Sequence, residues 1–287
     1  MSDLGTRPRR PGPTVRWKVT ELRAGVERAS RHDDRLVTEE PLEIRLAWPG
    51  RPAERVWVTM RTPGHDFELA AGWLTHEGVD AAITTVAYCT DETLTPEQEF
   101  NVVTVTLGSV PAHPPGARHD AVSAGSSACG VCGAESIAAA LGGRRVAPPA
   151  TLDLDPDLVR SLPDRLRASQ AVFERTGGVH AAGLFTADGT PLVVREDVGR
   201  HNAVDKVTGA RVLAGAPVGG LGGGGEGGEV LVVSGRAGFE LVQKAAAVGL
   251  GALVAVGAPT SLSARLAADS GLALYGFTRA DRVVRYC

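Results

Sequence analysis

A chain of 287 residues can bury one large hydrophobic core or two smaller ones, so one or two domains are expected. Lys+Arg 30 against Asp+Glu 33 leave a formal net charge of −3, which gives no support for bulk nucleic-acid binding. Hydrophobic residues make up 43% and aromatics only 5%, a core of Ala, Val and Leu, while 36 Gly and 18 Pro supply many tight turns. The four cysteines are too few for a disulfide scaffold in a chain this long. The polar, Pro-rich opening from Met1 to Pro13 has no signal-peptide core, and no apolar run reaches the roughly 18 residues of a membrane span. The expectation is a soluble cytoplasmic protein with neither nucleic acid nor membrane as partner.

In chain order, residues 1–14 read as a disordered tail. Period-two patterning predicts strands over 15–22, 42–48 and 56–61. The turn Thr62-Pro63-Gly64 leads into helical spacing over 66–74, with Asp66 as its N-cap. Strands follow over 84–89 and 101–107, so residues 15–116 form a β-rich α+β domain closed by the Pro/Gly-rich passage 111–116.

From 117 to 287 the pattern is α/β. A polar loop over 123–128 precedes Cys129-Gly130-Val131-Cys132-Gly133, and a helix begins near Ala134. A helical pattern covers 152–175. Strands over 179–185 and 192–195 flank the hairpin turn Ala187-Asp188-Gly189-Thr190. A helix over 202–213, a strand over 229–233, a helix over 237–248, a strand over 252–256 and a helix over 261–269 then alternate. Strands over 272–277 and 283–286 close the chain, and the alternation implies a mainly parallel sheet covered on both faces. The glycine run 219–228 reads as a flexible surface insertion without chemistry.

Four features carry chemistry. The pair Cys129 and Cys132 can share a metal, close a disulfide or pass a sulfur atom. Four-ligand zinc would need a second pair or finger-spaced histidines, which the sequence lacks. The small-residue loop before the pair and the helix start after it favour a reactive thiolate. The second feature, from Arg195 to Val207, crowds Asp197, Arg200, His201, Asp205 and Lys206 into a strand-to-helix junction, where α/β folds place ligands. An equally plain reading is a capped helix start, with Asp197 or Asn202 as cap and Arg200, Asp205 and Lys206 as solvated surface. Third, Ser234-Gly235-Arg236 joins a strand to a helix N-terminus, a ready anion site although not a Walker sequence. Fourth, the ending from Tyr275 to Arg282 offers an aromatic and two arginines suited to a planar base and phosphate, or an ordinary charged hairpin. His180 on its apolar strand is by default a core histidine. His76-Glu77 lacks the second histidine of H-E-x-x-H, and the chain has no H-x-E with P-C-x-x-C, so neither zinc-protease nor zinc-deaminase chemistry is present.

Six segments in order make the chain similar to the formate dehydrogenase accessory sulfurtransferase family (FdhD). They are Met60-Arg61-Thr62-Pro63-Gly64-His65-Asp66; Cys129 to Gly133; Gly178-Val179-His180-Ala181-Ala182; Arg195 to Lys206; Ser234-Gly235-Arg236 with Glu240, Gln243 and Lys244; and Gly276-Phe277-Thr278-Arg279. The resemblance implies a smaller β-rich domain and a larger three-layer domain similar to cytidine deaminases without their zinc. It implies a sulfur carrier that takes sulfur from a cysteine desulfurase as a cysteine persulfide. That sulfur passes to the bis-guanine-dinucleotide molybdenum cofactor on its way to formate dehydrogenase. Cys129 is then the persulfide carrier and Cys132 the accessory thiol. The cofactor-binding set becomes Phe277, Thr278, Arg279, Ala280, Asp281 and Arg282, with Ser234, Gly235, Arg236, His180, Asp197, Arg200 and His201. Family members are generally dimers, and no metal of the protein's own is expected. The competing classes are a cofactor-binding chaperone that moves no sulfur and a thiol-disulfide oxidoreductase.

Overall fold

The computed structural model describes residues 10–25, 30–89, 94–95, 98–115, 146, 148, 152–221 and 228–287. Cys129, Cys132, the loop over 123–128 and the helix expected from Ala134 lie outside the described residues.

Strands β1 (Thr14–Glu21) and β2 (Ser30–Val37) pair as an antiparallel ribbon. The second of these, Ser-Arg-His-Asp-Asp-Arg-Leu-Val, has no apolar alternation, so the period-two signal passes over it. Next come β3 (Glu40–Trp48), β4 (Arg51–Arg61), α1 (Asp66–His76), β5 (Ile83–Tyr88) and β6 (Val102–Leu107). The four strands form one sheet in the order β4-β3-β6-β5. Leu42, Ile44 and Leu46 alternate inward on β3, meet Val103 and Val105 of β6, and are covered by Leu69, Ala70, Trp73 and Leu74 of α1. Trp73 stacks on Trp57 with ring centroids 4.9 Å apart.

The expected cap of α1 is corrected. Asp66 is the first helical residue, and the capping position is His65, in the left-handed region at φ 57 with no side-chain cap bond. The Asp66 carboxylate instead faces the buried Arg61, whose Nε donates at 3.0 Å. A buried guanidinium left without its counterion costs more than a helix end without its cap, so the ion pair takes the carboxylate.

The remainder comprises α2 (Pro156–Arg167), α3 (Ala171–Thr176), β7 (His180–Thr186), β8 (Pro191–Asp197), α4 (Arg200–Leu213), β9 (Glu229–Val233), α5 (Phe239–Ala247), β10 (Ala252–Ala255), α6 (Ser261–Asp269), β11 (Ala273–Arg279) and β12 (Arg282–Arg285). The helical pattern over 152–175 is therefore two helices. Asp155 caps the first, accepting from the Asp157 and Leu158 amides at 2.7 and 3.3 Å. The Glu196 carboxylate receives the first amides of the second, Val172 and Phe173, at 2.8 and 2.7 Å. Helix α5 starts two residues later than periodicity predicts, because Gly238 N–H closes a turn onto Arg236 O at 3.1 Å.

The six strands form one sheet in the order β12-β11-β10-β9-β7-β8. It is mixed, not mainly parallel. Only β9, β10 and β11 pair in parallel, while β7 is antiparallel to both β8 and β9, and β12 to β11. The connections explain this. Strands joined through a helix run the same way, including β8 and β9, but the hairpin places β7 between those two. Both faces are covered, as expected: α4, α5 and α6 pack on one through Val207, Leu241 and Leu266, and α2 on the other through Val159, Leu162 and Leu166. The glycine run is also corrected at its start. Gly219 is buried, its N–H donates to Glu229 at 3.0 Å, and Gly220 N–H donates to Val248 O at 2.9 Å. Residues 222–227 lie outside the described residues.

Helix α1 joins the two sheets. Its second face crosses α4 backbone to backbone: a Cβ added at Gly72 would lie 1.9 Å from Asp205 O, and one at Gly209 would lie 1.8 Å from Glu68 O. Only glycine permits this approach from either side. Among the described residues no helix is long and apolar enough to cross a membrane.

Candidate functional site

Because β9, β10 and β11 run in parallel, their carboxyl ends share one edge of the sheet. Antiparallel pairing brings the start of β7 and the end of β8 to that same edge, with His180 in register opposite Asp197. The segments 197–201, 234–236, 256–260 and 277–279 therefore line one rim, the usual ligand position in such sheets.

Contacts run continuously along it. Ser234 bridges β9 to β7: its N–H donates to Ala181 O at 3.0 Å, and its Oγ accepts the Ala181 N–H at 2.9 Å. Gly235 lies beside the His180 ring, since a Cβ built there would be 3.5 Å from His180 Nδ1 and 4.0 Å from Arg200 Cδ. Arg236 packs over Gly257, where an added Cβ would meet its Cγ at 2.9 Å. Gly257 O in turn accepts the Phe277 N–H at 3.1 Å. Phe277 holds φ 51, strained for a non-glycine residue, and the Arg282 guanidinium lies 5.1 Å from its ring centroid. Arg279, Ala280, Asp281 and Arg282 form the exposed tip of the β11–β12 hairpin. Thr278 is fully buried, and its Oγ1 has no partner among the described residues.

The rim is cationic. Burial above all, then the charges of Arg200 and His201, hold the His180 imidazole below its ordinary value, so it is neutral near pH 7. His201 Nε2 lies 2.6 Å from Glu240 Oε2, and the His201 ring holds that carboxyl below the usual range. Arg200 Nε is buried with no partner among the described residues. Arg200, Arg236 and Arg279 thus lie along this one edge, Arg200 where α4 begins and its first amides are free to meet an anion. Among the described residues no group of three or more His, Cys, Asp or Glu side chains is placed to hold a metal ion.

Asp197 differs from its neighbours. It is fully buried, with Oδ1 accepting from Gly199 N–H at 2.8 Å and Asn202 Nδ2 at 3.1 Å. Its Oδ2 accepts from Thr62 N–H at 3.2 Å and pairs with Lys206 Nζ at 2.6 Å. The reading of Asp205 and Lys206 as solvated surface is overturned, since their exposures are 0% and 1%. Both point toward α1 and the segment before it, which only the tertiary fold supplies.

The residues that sequence reasoning left without a place in the site are those of Met60 to Asp66. Arg61 lies at the centre of a buried network, with Nη2 donating to Phe100 O at 3.0 Å and Asn101 Oδ1 at 2.9 Å, and the Tyr88 hydroxyl adds a 2.7 Å bond to Asp66. Glu68 receives a two-pronged contact from Arg195 at 2.5 and 2.7 Å. Burial pushes the Glu68 carboxyl up, but Arg195 and His65 outweigh it and hold it at about 2. The available signal was the motif itself, dense in turn formers and charges of both signs.

The model of the FdhD/NarQ family matches residues 37–287. A sulfur carrier protein FdhD of Streptomyces coelicolor is 46% identical over 285 residues, covering 95% of this chain and 93% of its own. One from Mycobacterium tuberculosis is 46% identical over 265 residues, covering 88% and 89%. A crystal structure of a protein assigned as a formate dehydrogenase accessory protein, from Desulfotalea psychrophila, superposes with a TM-score of 0.69. It covers 96% of this chain and 97% of its own at 22% identity, a likeness of fold alone. The chain belongs to the FdhD/NarQ family.

Proposed function

We propose that the protein is a sulfur carrier: Cys129 takes sulfur from a cysteine desulfurase as a persulfide and delivers it to a bis-guanine-dinucleotide molybdenum cofactor held at the sheet edge. The observation that carries the reading is 46% identity over 285 residues to a protein named as a sulfur carrier, together with the C-x-x-C pair. In the loading step the Cys129 thiolate attacks the outer sulfur of the donor persulfide. The donor's S–S bond breaks, its thiolate leaves, and the new S–S bond resides on Cys129 with no net oxidation. Cys132 then either attacks the inner sulfur of the Cys129 persulfide, breaking its S–S bond, closing a Cys129–Cys132 disulfide and releasing hydrosulfide to the acceptor, or tunes the persulfide.

At the acceptor end, Phe277 offers a partly exposed ring for a guanine base, and Arg200, Arg236 and Arg279 offer charge for pyrophosphate. We take the larger domain as the cytidine-deaminase-like layer arrangement that the resemblance implies, supported by its strand order and two covered faces. Residues 15–116 and 117–287 are the corresponding domains. A homodimer in the cytoplasm, with a formate dehydrogenase as client, completes the proposal.

Mass spectrometry after incubation with a cysteine desulfurase and cysteine tests it. One added sulfur on the Cys129 peptide is expected, with none on Cys129→Ala. Sulfur loading that survives in Cys129→Ala would sink the persulfide assignment.

A further inference from the structure

Thr62 makes three polar contacts, and all three go to a segment 135 residues or more away. Its N–H donates to Asp197 Oδ2 at 3.2 Å, its Oγ1 accepts the Val198 N–H at 3.0 Å, and its carbonyl accepts from Lys206 Nζ at 2.9 Å. Thr62 is 2% exposed. The turn it grips is held from the other side as well, because Asp197 Oδ1 accepts the Gly199 N–H at 2.8 Å. Two consecutive amides are thus pinned, one by each half of the chain, directly before Arg200 opens α4. Arg200 then extends along the rim with its Nε buried and without a partner among the described residues. A guanidinium whose backbone is fixed behind it, and whose Nε has no partner among the described residues, is preset for an incoming anion.

We propose that Thr62 is a positioning residue of the anion site, setting through Val198 the direction in which Arg200 meets a nucleoside diphosphate. The proposal rests on the reading of the sheet edge as a guanine-nucleotide site. It gives Thr62, and so part of the Met60 to Asp66 motif, a function. The first half of the chain supplies the brace for a site that the second half carries.

Calorimetric titration of the full chain with GDP tests it. Thr62→Val removes only the acceptor for Val198 N–H and is expected to raise Kd roughly five- to tenfold, the size of one neutral hydrogen bond. Thr62→Ser keeps the hydroxyl and is expected to stay within about twofold of wild type. In an Arg200→Ala background Thr62→Val should change Kd by less than about twofold, because the group it positions is gone. Amide exchange on the wild-type protein is a second readout that needs no variant: by reciprocity, GDP should slow exchange at Val198. GDP binding that Arg200→Ala weakens but Thr62→Val leaves unchanged would overturn the role of Thr62 alone, as would exchange at Val198 indifferent to bound GDP. No GDP binding by the wild-type protein would overturn the reading of the site, and this inference with it.

Discussion

Two buried ionic clusters flank the crossing of α1 and α4, and they are built to different rules. In the first, Asp197 meets Lys206, Asn202, Thr62 N–H and Gly199 N–H, so both oxygens have two partners. In the second, Asp205 Oδ1 takes both His76 Nδ1 and Lys244 Nζ at 2.6 Å, while Oδ2 has no partner among the described residues. His76 Nε2 lies 3.1 Å from Thr208 Oγ1. Burial above all, with the charge of Lys244, holds His76 below its ordinary value against the pull of Asp205. Burial pushes Asp205 up, but Lys244 and His76 outweigh it and hold its carboxyl below the usual range. The first cluster is a satisfied network that specifies one geometry beside the rim. The second stores an uncompensated acceptor next to a neutral imidazole, and can respond to protons.

The largest expected effect tests the first cluster. Lys206→Met leaves Asp197 buried with neutral donors only, and should cost ~3–5 kcal/mol in urea unfolding at pH 7. Lys244→Met should cost less, ~1–2 kcal/mol at pH 7, because His76 can take up a proton and supply the missing charge. The His76 proton resonances should then titrate at higher pH than in the wild type, and the loss should shrink at pH 6. Equal losses for the two lysine variants would erase the contrast.

The smallest effect is a slope. A histidine whose folded value is depressed gives stability that is complete above its unfolded value near 6.5 and is lost as pH falls toward the folded value. Wild-type stability should therefore decline below about pH 6.5. The half-buried His180 contributes in the same window, so the diagnostic is the difference: His76→Gln should decline less steeply between pH 7 and 5. Identical slopes would remove His76 as a proton-sensitive group.

Much of the architecture was legible locally. The alternation of Leu42, Ile44 and Leu46, the hairpin at Asp188-Gly189 and the helix-strand repeat after residue 200 state their elements directly, because each buries one face at a fixed period. That the junctions at 197–201 and 234–236 share one sheet edge was legible too from the order of strands and helices, although a capped helix start or a charged hairpin accounts for the same residues. What stayed hidden was pairing across distance. Strand β2 shows no pattern because its ribbon buries little, and β7 lies between β8 and β9 because its hairpin folds inward, which composition does not record. Asp197, Asp205 and Lys206 look like helix-start surface until α1 and Thr62 arrive to bury them.

The sequence by itself determined most of the elements, the order of the six motifs, and the family they mark. It also placed the thiols in C-x-x-C spacing, a property of four consecutive residues. Only the tertiary structure decided which charges are partners: Lys206 with Asp197, Lys244 with Asp205, Arg61 with Asp66, Arg195 with Glu68. The reason is physical. A strand or helix is read from periodicity within a few residues, whereas a buried charge is matched by whichever donor the fold carries to it.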